Sequence, residues 1–208
     1  MQNINLLDRM DAIRFGFFNW RAKTNIGYKI LLIAGMACFS GLLAQLKFYL
    51  PFTPVPVTGQ TFAAALSGVM LGSIWGGLSQ VLYILLGLAG IPWFAGAKAG
   101  LTVLAGPTGG YLIGFVLESL FLGYIIDNYV KSRKFYIIAL LIMSADYFLI
   151  FGCGIIQLNL WYNIALGRNL AFYELLVRGL FPFIPGEIVK MLFAASLITI
   201  AIPKKDYK

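Results

Sequence analysis

The chain has 208 residues, 60% of them hydrophobic and 12% charged, with a mean hydropathy of +0.85, far from the roughly 25% charged residues of a soluble globular domain. This is the composition of an integral membrane protein, with room for roughly five to seven spans of ~20 residues and no length for a separate soluble domain. The net charge of +8 and the absence of histidine point neither to nucleic acid nor to a zinc or di-iron centre: no basic run is interleaved with aromatics on a polar face, and Cys38 and Cys153 stand apart in apolar segments, where they read as small buried residues.

The leader MQNINLLDRMDAIRFGFFNWRAKT is charged throughout and lacks the apolar core and cleavage site of a signal peptide, so the first span is expected to be an uncleaved anchor. Leu6, Leu7, Met10, Ile13 and Phe17 recur at helical spacing, which suits either a short amphipathic helix at the membrane surface or a loosely ordered basic leader. Residues 1–25 are thus set apart from a membrane domain over 26–203 and a basic tail over 204–208. The first span runs from about Ile26 to Leu50 and gives way to the proline-rich PFTPVPVTG. From Gln60 to Leu88 the chain is apolar for about 29 residues, roughly 44 Å as one helix and too long for one crossing. The GSIWGG cluster at Gly72–Gly77 divides it into two short spans joined by a tight turn. Beyond the glycine-rich AGIPWFAGAKAGLTVLAG, a fourth span covers Pro107–Tyr129 and a fifth Phe135–Ile156. A partly amphipathic surface helix is expected in QLNLWYNIALGRNLAFYELLVRG, and the sixth span covers Phe181–Pro203. The predicted fold is therefore all-α, an integral membrane protein with six transmembrane helices.

Six spans place both termini on one side. Eleven of the sixteen basic residues then fall there: Arg9, Arg14, Arg21, Lys23 and Lys29 at the start, Lys131, Arg133 and Lys134 in the KSRK loop, and Lys204, Lys205 and Lys208 in the tail. Basic residues follow the cytoplasmic side, so both termini are predicted to be cytoplasmic. The three long loops, rich in proline, glycine and aromatics, lie on the outside, where a ligand would be received and covered.

The chain has no Gly-x4-Gly-Lys-[Ser/Thr] phosphate loop, and without histidine it has no Ser/His or Cys/His pairing, so enzymatic activity is not expected. Gly106, Gly110 and Gly114 recur every four residues, with Glu118 next on that row, as in a close helix-packing face. Gly106 followed by Pro107 also starts a helix sharply, leaving the N–H groups of Thr108, Gly109 and Gly110 free to meet a carboxylate. Four ionisable residues sit within spans, each costing about 2.5–3.5 kcal/mol at a helix centre on insertion scales. Glu118 and Asp146 stand alone in their helices and either find polar partners, stay protonated or face a cavity. Glu187 and Lys190 share one face at i, i+3 and form either a salt bridge or one ligand site. Lys190 lies roughly 13 Å in from the outer start of its span, beneath the outer loops. A carboxylate and an ammonium together suit a neutral group with N–H and C=O side by side, such as a cyclic urea or amide. Ala34, Ala37 and Gly41 give the first span a small face that is either an internal contact or a docking surface for another membrane protein.

Four stretches, FTPVPVTGQTF, GLAGIPWFAG, GPTGGYLIGF and FPFIPGEIVK, resemble the BioY family, the biotin-binding S components of energy-coupling factor vitamin transporters in bacteria. The resemblance extends from about Ile26 to Pro203 in the family's order and spacing. It implies an S-component-like fold in the bacterial cytoplasmic membrane, with an outward-facing biotin site covered by the first, third and fifth loops. It further implies a transmembrane coupling subunit and two cytoplasmic ATPase subunits as partners, which use the ATP, so that no cofactor is expected in this chain and lipid is its surrounding. By the same resemblance Glu187, where the family usually has Asp, and Lys190 contact the biotin head. Lys98, where the family has Gly or Asn, would attract the valerate carboxylate with the helix start at Thr108 and Gly109. Gln60 matches a recurring glutamine, and the face of Ala34, Ala37 and Gly41 lies where S components dock on the coupling subunit. Glu118, Asp146 and the leader depart from the pattern. The rival expectations are the same fold with another vitamin, a membrane-embedded enzyme with Glu118 and Asp146 as acid and base, and a proton-driven transporter using either residue.

Overall fold

In lipid every backbone N–H and C=O must be satisfied within the protein, which forces apolar runs into helices. A computed structural model describes residues 6–207, and helix dominates them. Met1–Asn5 of the expected leader, Lys208 of the tail and the side chains of Leu6 and Leu7 lie outside the described residues. In chain order the elements are α1 (Leu6–Lys23), α2 (Ile26–Gln45), β1 (Lys47–Phe48), β2 (Val57–Thr58), α3 (Gln60–Leu71), α4 (Ser73–Leu88), α5 (Leu101–Ala105), α6 (Gly109–Asn128), α7 (Phe135–Ala145), α8 (Phe151–Leu166), α9 (Phe172–Gly179) and α10 (Ile184–Ala201). Among the described residues four stretches are long and apolar enough to cross a membrane, namely Ile26–Gln45, Gly109–Asn128, Phe135–Leu166 and Phe172–Ala201, while α3 and α4 are shorter apolar helices.

The expected division of Gln60–Leu88 occurs at one residue. Gly72 adopts φ +87°, a conformation open to glycine, and its N–H still closes the end of α3 by donating to Gly68 O at 2.9 Å. Two expectations are corrected. The fold is not purely α-helical: α2 stops at Gln45, and the proline-rich loop returns on itself through an antiparallel ribbon pairing Lys47 with Thr58 and Phe48 with Val57. Pro54 and Pro56 hold the residues before them extended, which favours a strand over further helix. The fifth helix also runs on past Ile156. Residues 135–166 form one helix with a π-helical turn at Asp146–Ile150, ending where Gly167 takes φ +61°. Nothing between Ile155 and Leu166 breaks a helix, so only the second half of the expected surface helix is separate, as α9, whose first turn is capped by Ala171 N–H donating to the Glu174 carboxylate.

Helix α6 lies at the centre, packed on α3, α4 and α8. The approach is backbone to backbone: a Cβ on Gly68 would stand 2.3 Å from the Ser119 carbonyl oxygen, and one on Gly114 2.5 Å from Cα of Ile150. Gly110 packs in the same way on Cys153, whereas Gly106 belongs to the turn between α5 and α6. Cys38 is exposed on α2 and Cys153 half-buried, so neither is the fully buried residue expected.

Helix α1 forms, and the residue it buries most deeply lies beside the expected apolar face. Ile13 is 72% exposed, whereas Phe18 is fully buried, 5.0 Å from the Tyr207 ring. A polar clamp sets this rotation. Arg21 donates to the last carbonyls of α3, Val69 O at 3.0 Å and Met70 O at 3.3 Å, and to Asp127 Oδ1 at 2.8 Å. Tyr207 donates to the same carboxylate, and Arg133 lies over its ring while donating to Pro203 O and Lys205 O. Burial, reinforced by the bond to Asp127, pushes the Tyr207 phenol above its ordinary range, so it remains a donor.

The close approach at Gly114 predicts that Gly114→Ala forces α6 and α8 apart at a cost of about 1–3 kcal/mol. Gly35, with nothing within 4 Å of a built Cβ, supplies the control: Gly35→Ala leaves the thermal unfolding midpoint in detergent unchanged or raises it, and Gly114→Ala lowers it.

Candidate functional site

Beneath the ribbon and the loops lies a cavity of about 360 Å³, within the roughly 300–1,000 Å³ usual for small-molecule sites. The first loop contributes Pro54, Val55 and Thr58, the start of α3 Gln60 and Thr61, and the α4–α5 loop Phe94 and Lys98. Thr108 borders it from the α5–α6 turn, Tyr111 and Phe115 from α6, Phe151 from α8, and Phe183 and Glu187 from the start of the last helix. The covering loops are fastened. Thr53 Oγ1 donates to Arg178 O, and Arg178 Nη1 to Phe52 O at 3.3 Å, tying the first loop to α9. Gln45 Nε2 donates to Trp93 O at 3.0 Å and Phe94 O at 3.2 Å and its Oε1 accepts from Ala97 N at 3.1 Å, tying α2 to the α4–α5 loop.

Glu187 is 2% exposed. Its Oε2 accepts from Thr61 Oγ1 at 2.9 Å, and its Oε1 pairs with Lys190 Nζ at 2.5 Å. Lys190 Nζ also donates to Thr58 O at 2.7 Å and Thr61 Oγ1 at 3.1 Å, which employs all three donors of an ammonium. The i, i+3 pair is therefore an ion pair whose carboxylate end reaches the cavity. Lys190 itself is not on the cavity wall, contrary to the expectation that both would meet one ligand: the Thr58 carbonyl at the end of β2 draws the ammonium behind Glu187. Gln60, 5% exposed, forms part of the wall, donating to Tyr83 OH at 2.8 Å and accepting from Thr58 Oγ1 at 3.1 Å.

Lys98 also lines the cavity and is exposed. Thr108 is on the wall, but Gly109 is not: its N–H donates to Gly106 O at 3.4 Å, and a Cβ there would stand 1.7 Å from Leu104 O. The expected anion site at the helix start is thus reduced, because α5 and its turn occupy the space that a bare helix end would have left. The proposed docking face is also corrected. Ala37 is fully buried, and a Cβ on Gly41 would stand 2.9 Å from the Trp93 ring, so both are covered by the chain itself, leaving Ala34 half-buried.

Several wall residues were missed by sequence reasoning. Tyr111 donates to Gly179 O at 2.8 Å and meets Phe151 edge-on at 5.8 Å, and Phe151 lies 5.7 Å from Phe183. The signal for Tyr111 and Phe183 was present inside GPTGGYLIGF and FPFIPGEIVK, while Phe151 lies outside both, yet an aromatic lining a cavity and one filling a core have the same pattern. Lys47 and Tyr49 were missed as well. Gly96, at φ +84°, lets the loop pass so closely that a Cβ would stand 2.8 Å from Tyr49 OH and 3.3 Å from Lys47 Nζ, with Lys98 3.9 Å away. Lys47 and Lys98 thus both lie beside Gly96, and Lys98 is on the cavity wall. The cavity offers a buried carboxylate and a hydroxyl, aromatic walls, and an exposed cation, a set matched to a neutral hydrogen-donating head, an apolar body and an anionic tail.

The sequence profile of the BioY family matches residues 19–205. The chain belongs to the BioY family. It is 46% identical over 142 residues to a protein of Methanothermobacter thermautotrophicus named a probable biotin transporter BioY, covering 68% of this chain and 90% of that one. It is 34% identical over 157 residues to the biotin transporter BioY of Thermotoga maritima, covering 76% and 86%. The solved structure of an S-component for biotin from an ECF-type ABC transporter superposes with a TM-score of 0.73 at 23% identity, over 85% of this chain and 93% of that chain, and so shares its fold. This BioY-family chain is a multi-pass membrane protein, and its relatives are named as transporters rather than enzymes.

Breaking a buried ion pair on one side strands the other charge, at a cost of about 3–5 kcal/mol. Lys190→Met is therefore expected to lower the thermal unfolding midpoint more than Lys190→Met combined with Glu187→Gln. A double-mutant cycle in detergent measures this, and additive losses would mean that the two charges do not depend on each other.

Proposed function

We propose that this chain is the biotin-binding membrane subunit of an ECF-type transporter, taking biotin from outside and delivering it inward when an ATPase-driven coupling module reorients it. The observation that carries the reading is the set of groups lining one cavity: a buried carboxylate, aromatic rings and an exposed lysine. The ureido N–H groups of biotin would donate to Glu187, its ring and aliphatic chain would lie among Phe94, Tyr111, Phe115, Phe151 and Phe183, and its carboxylate would meet Lys98 and Thr108. Lys190 acts through Glu187, holding the carboxylate in place, and fastens the first loop through Thr58. Gln60 stiffens the same wall.

In this reading α3 and α4 are two short crossings, which makes six transmembrane helices, and both termini are cytoplasmic because eleven of the sixteen basic residues then lie on that side. The partners are biotin, a transmembrane coupling subunit and two ATPase subunits, with Ala34 on the surface of α2 offered to the coupling subunit. ATP belongs to the partners, the chain needs no cofactor of its own, and it catalyses no reaction.

Calorimetry on the detergent-purified protein tests the proposal. Biotin is expected to bind more tightly than micromolar; Glu187→Ala and Lys190→Ala each weaken it at least tenfold, about 1.4 kcal/mol. Lys98→Ala is expected to weaken biotin while leaving biotinamide, which lacks the carboxylate, unchanged. Biotin binding weaker than micromolar in the unmodified protein overturns the assignment.

A further inference from the structure

Helix α6 and the α7–α8 helix run antiparallel, and glycines fix their register. A Cβ on Gly110 would stand 2.1 Å from Cys153 O, and one on Gly114 2.5 Å from Cα of Ile150. One turn further along the row on α6 is Glu118, and one turn back along the partner is Asp146, the first residue of the π-helical turn Asp146–Ile150. Such turns are frequent where a helix must aim a functional side chain. That register sets the two carboxyls against each other, with Glu118 fully buried and Asp146 1% exposed. No donor among the described residues reaches either oxygen of Glu118 or Asp146 Oδ1.

The surroundings do not neutralise the pair. Glu187 and Lys190 face it from α10 and Tyr147 flanks Asp146 on its own turn. Thr61 of α3 shares with Asp146 and Lys190 the wall of a small gap between the helices. The donors of Lys190 already go to Glu187, Thr58 and Thr61, and the hydroxyl of Thr61 goes to Glu187. Three buried carboxyls thus stand against one ammonium. Two ionised carboxylates touching there would face both mutual repulsion and uncompensated burial, and like charges sharing a site do not both ionise.

We propose that Glu118 and Asp146 form a buried proton-binding site, in which one proton bridges the two carboxyls, donated by one and accepted by the other, and leaves a single negative charge facing Lys190. The site is separate from the cavity and does not depend on what the cavity binds.

Infrared spectroscopy of the detergent-purified full chain at pH 7 reads this directly. The expected result is the carbonyl stretch of a protonated carboxylic acid, shifted down in D₂O and absent from the Glu118→Gln/Asp146→Asn double variant, whose two amides replace the pair without charge and can hydrogen-bond each other. Unmodified protein with no such band overturns the proposal, whether or not the variant folds. A band that persists unchanged in the folded double variant also overturns it, because the proton would then reside elsewhere.

Discussion

The site depends on how near α6 lies to its neighbours. Helices that carried side chains at Gly68, Gly110 and Gly114 would stand further apart, and the walls that α6 presents through Tyr111 and Phe115 would no longer meet Phe151 and Phe183. In lipid there is no hydrophobic drive to bring helices together, so this proximity must come from van der Waals contact between backbones and from the hydrogen bonds it permits. The bond from Ser119 Oγ to Ala64 O at 2.8 Å is one of these, placed beside the Gly68 contact. The same row of small residues has two products: a cavity walled by Tyr111 and Phe115 and, a turn beyond its last glycine, the meeting of Glu118 with Asp146.

Hydrogen bonding then links the cavity to its cover. Lys190 touches Glu187 on its own helix, Thr61 at the start of α3 and the Thr58 carbonyl at the end of the ribbon. One ammonium therefore joins the buried end of the cavity to the loop above it, and any group that competes for the Glu187 carboxylate also acts on the position of that loop. The cover is held elsewhere by side chains that use backbone acceptors, Gln45 on the α4–α5 loop and Arg178 on the first loop. Such bonds fix a loop to a helix without a large apolar contact and can exchange for water when the loop lifts.

Much of this was legible in the sequence, for reasons that are local. Gly72 was visible because a backbone at φ +87° needs glycine and because the apolar run around it was too long for one helix. Glu187 was visible because a carboxylate in an apolar run is costly without a purpose. The misreadings share a different cause, since each turned on what lies opposite a residue. Gly109 and its neighbours looked like a free helix start, but α5 packs against them. Ala37 and Gly41 looked like a surface, but Ala37 is fully buried and Trp93, more than fifty positions away, covers Gly41. Lys190 was placed on the correct helix face, while its direction was set by a carbonyl of the ribbon. Glu118 and Asp146 were paired in the sequence only as the acid and base of a rival enzyme, because their packing follows from the register between two helices and a π-helical turn that no residue type announces.

The choice of glutamate at position 187 follows from the same geometry. Its carboxylate must satisfy Lys190 and Thr61 and still face the cavity. An aspartate is one carbon–carbon bond shorter, ~1.5 Å, and from the same backbone its carboxylate would reach less far from α10. The extra methylene lets one oxygen bond across to α3 while the other stays with the ammonium on its own helix. It also carries the carboxylate further from the α10 backbone, toward the cavity it lines. Length at this one position therefore trades cavity depth against the span between helices, without any change in charge.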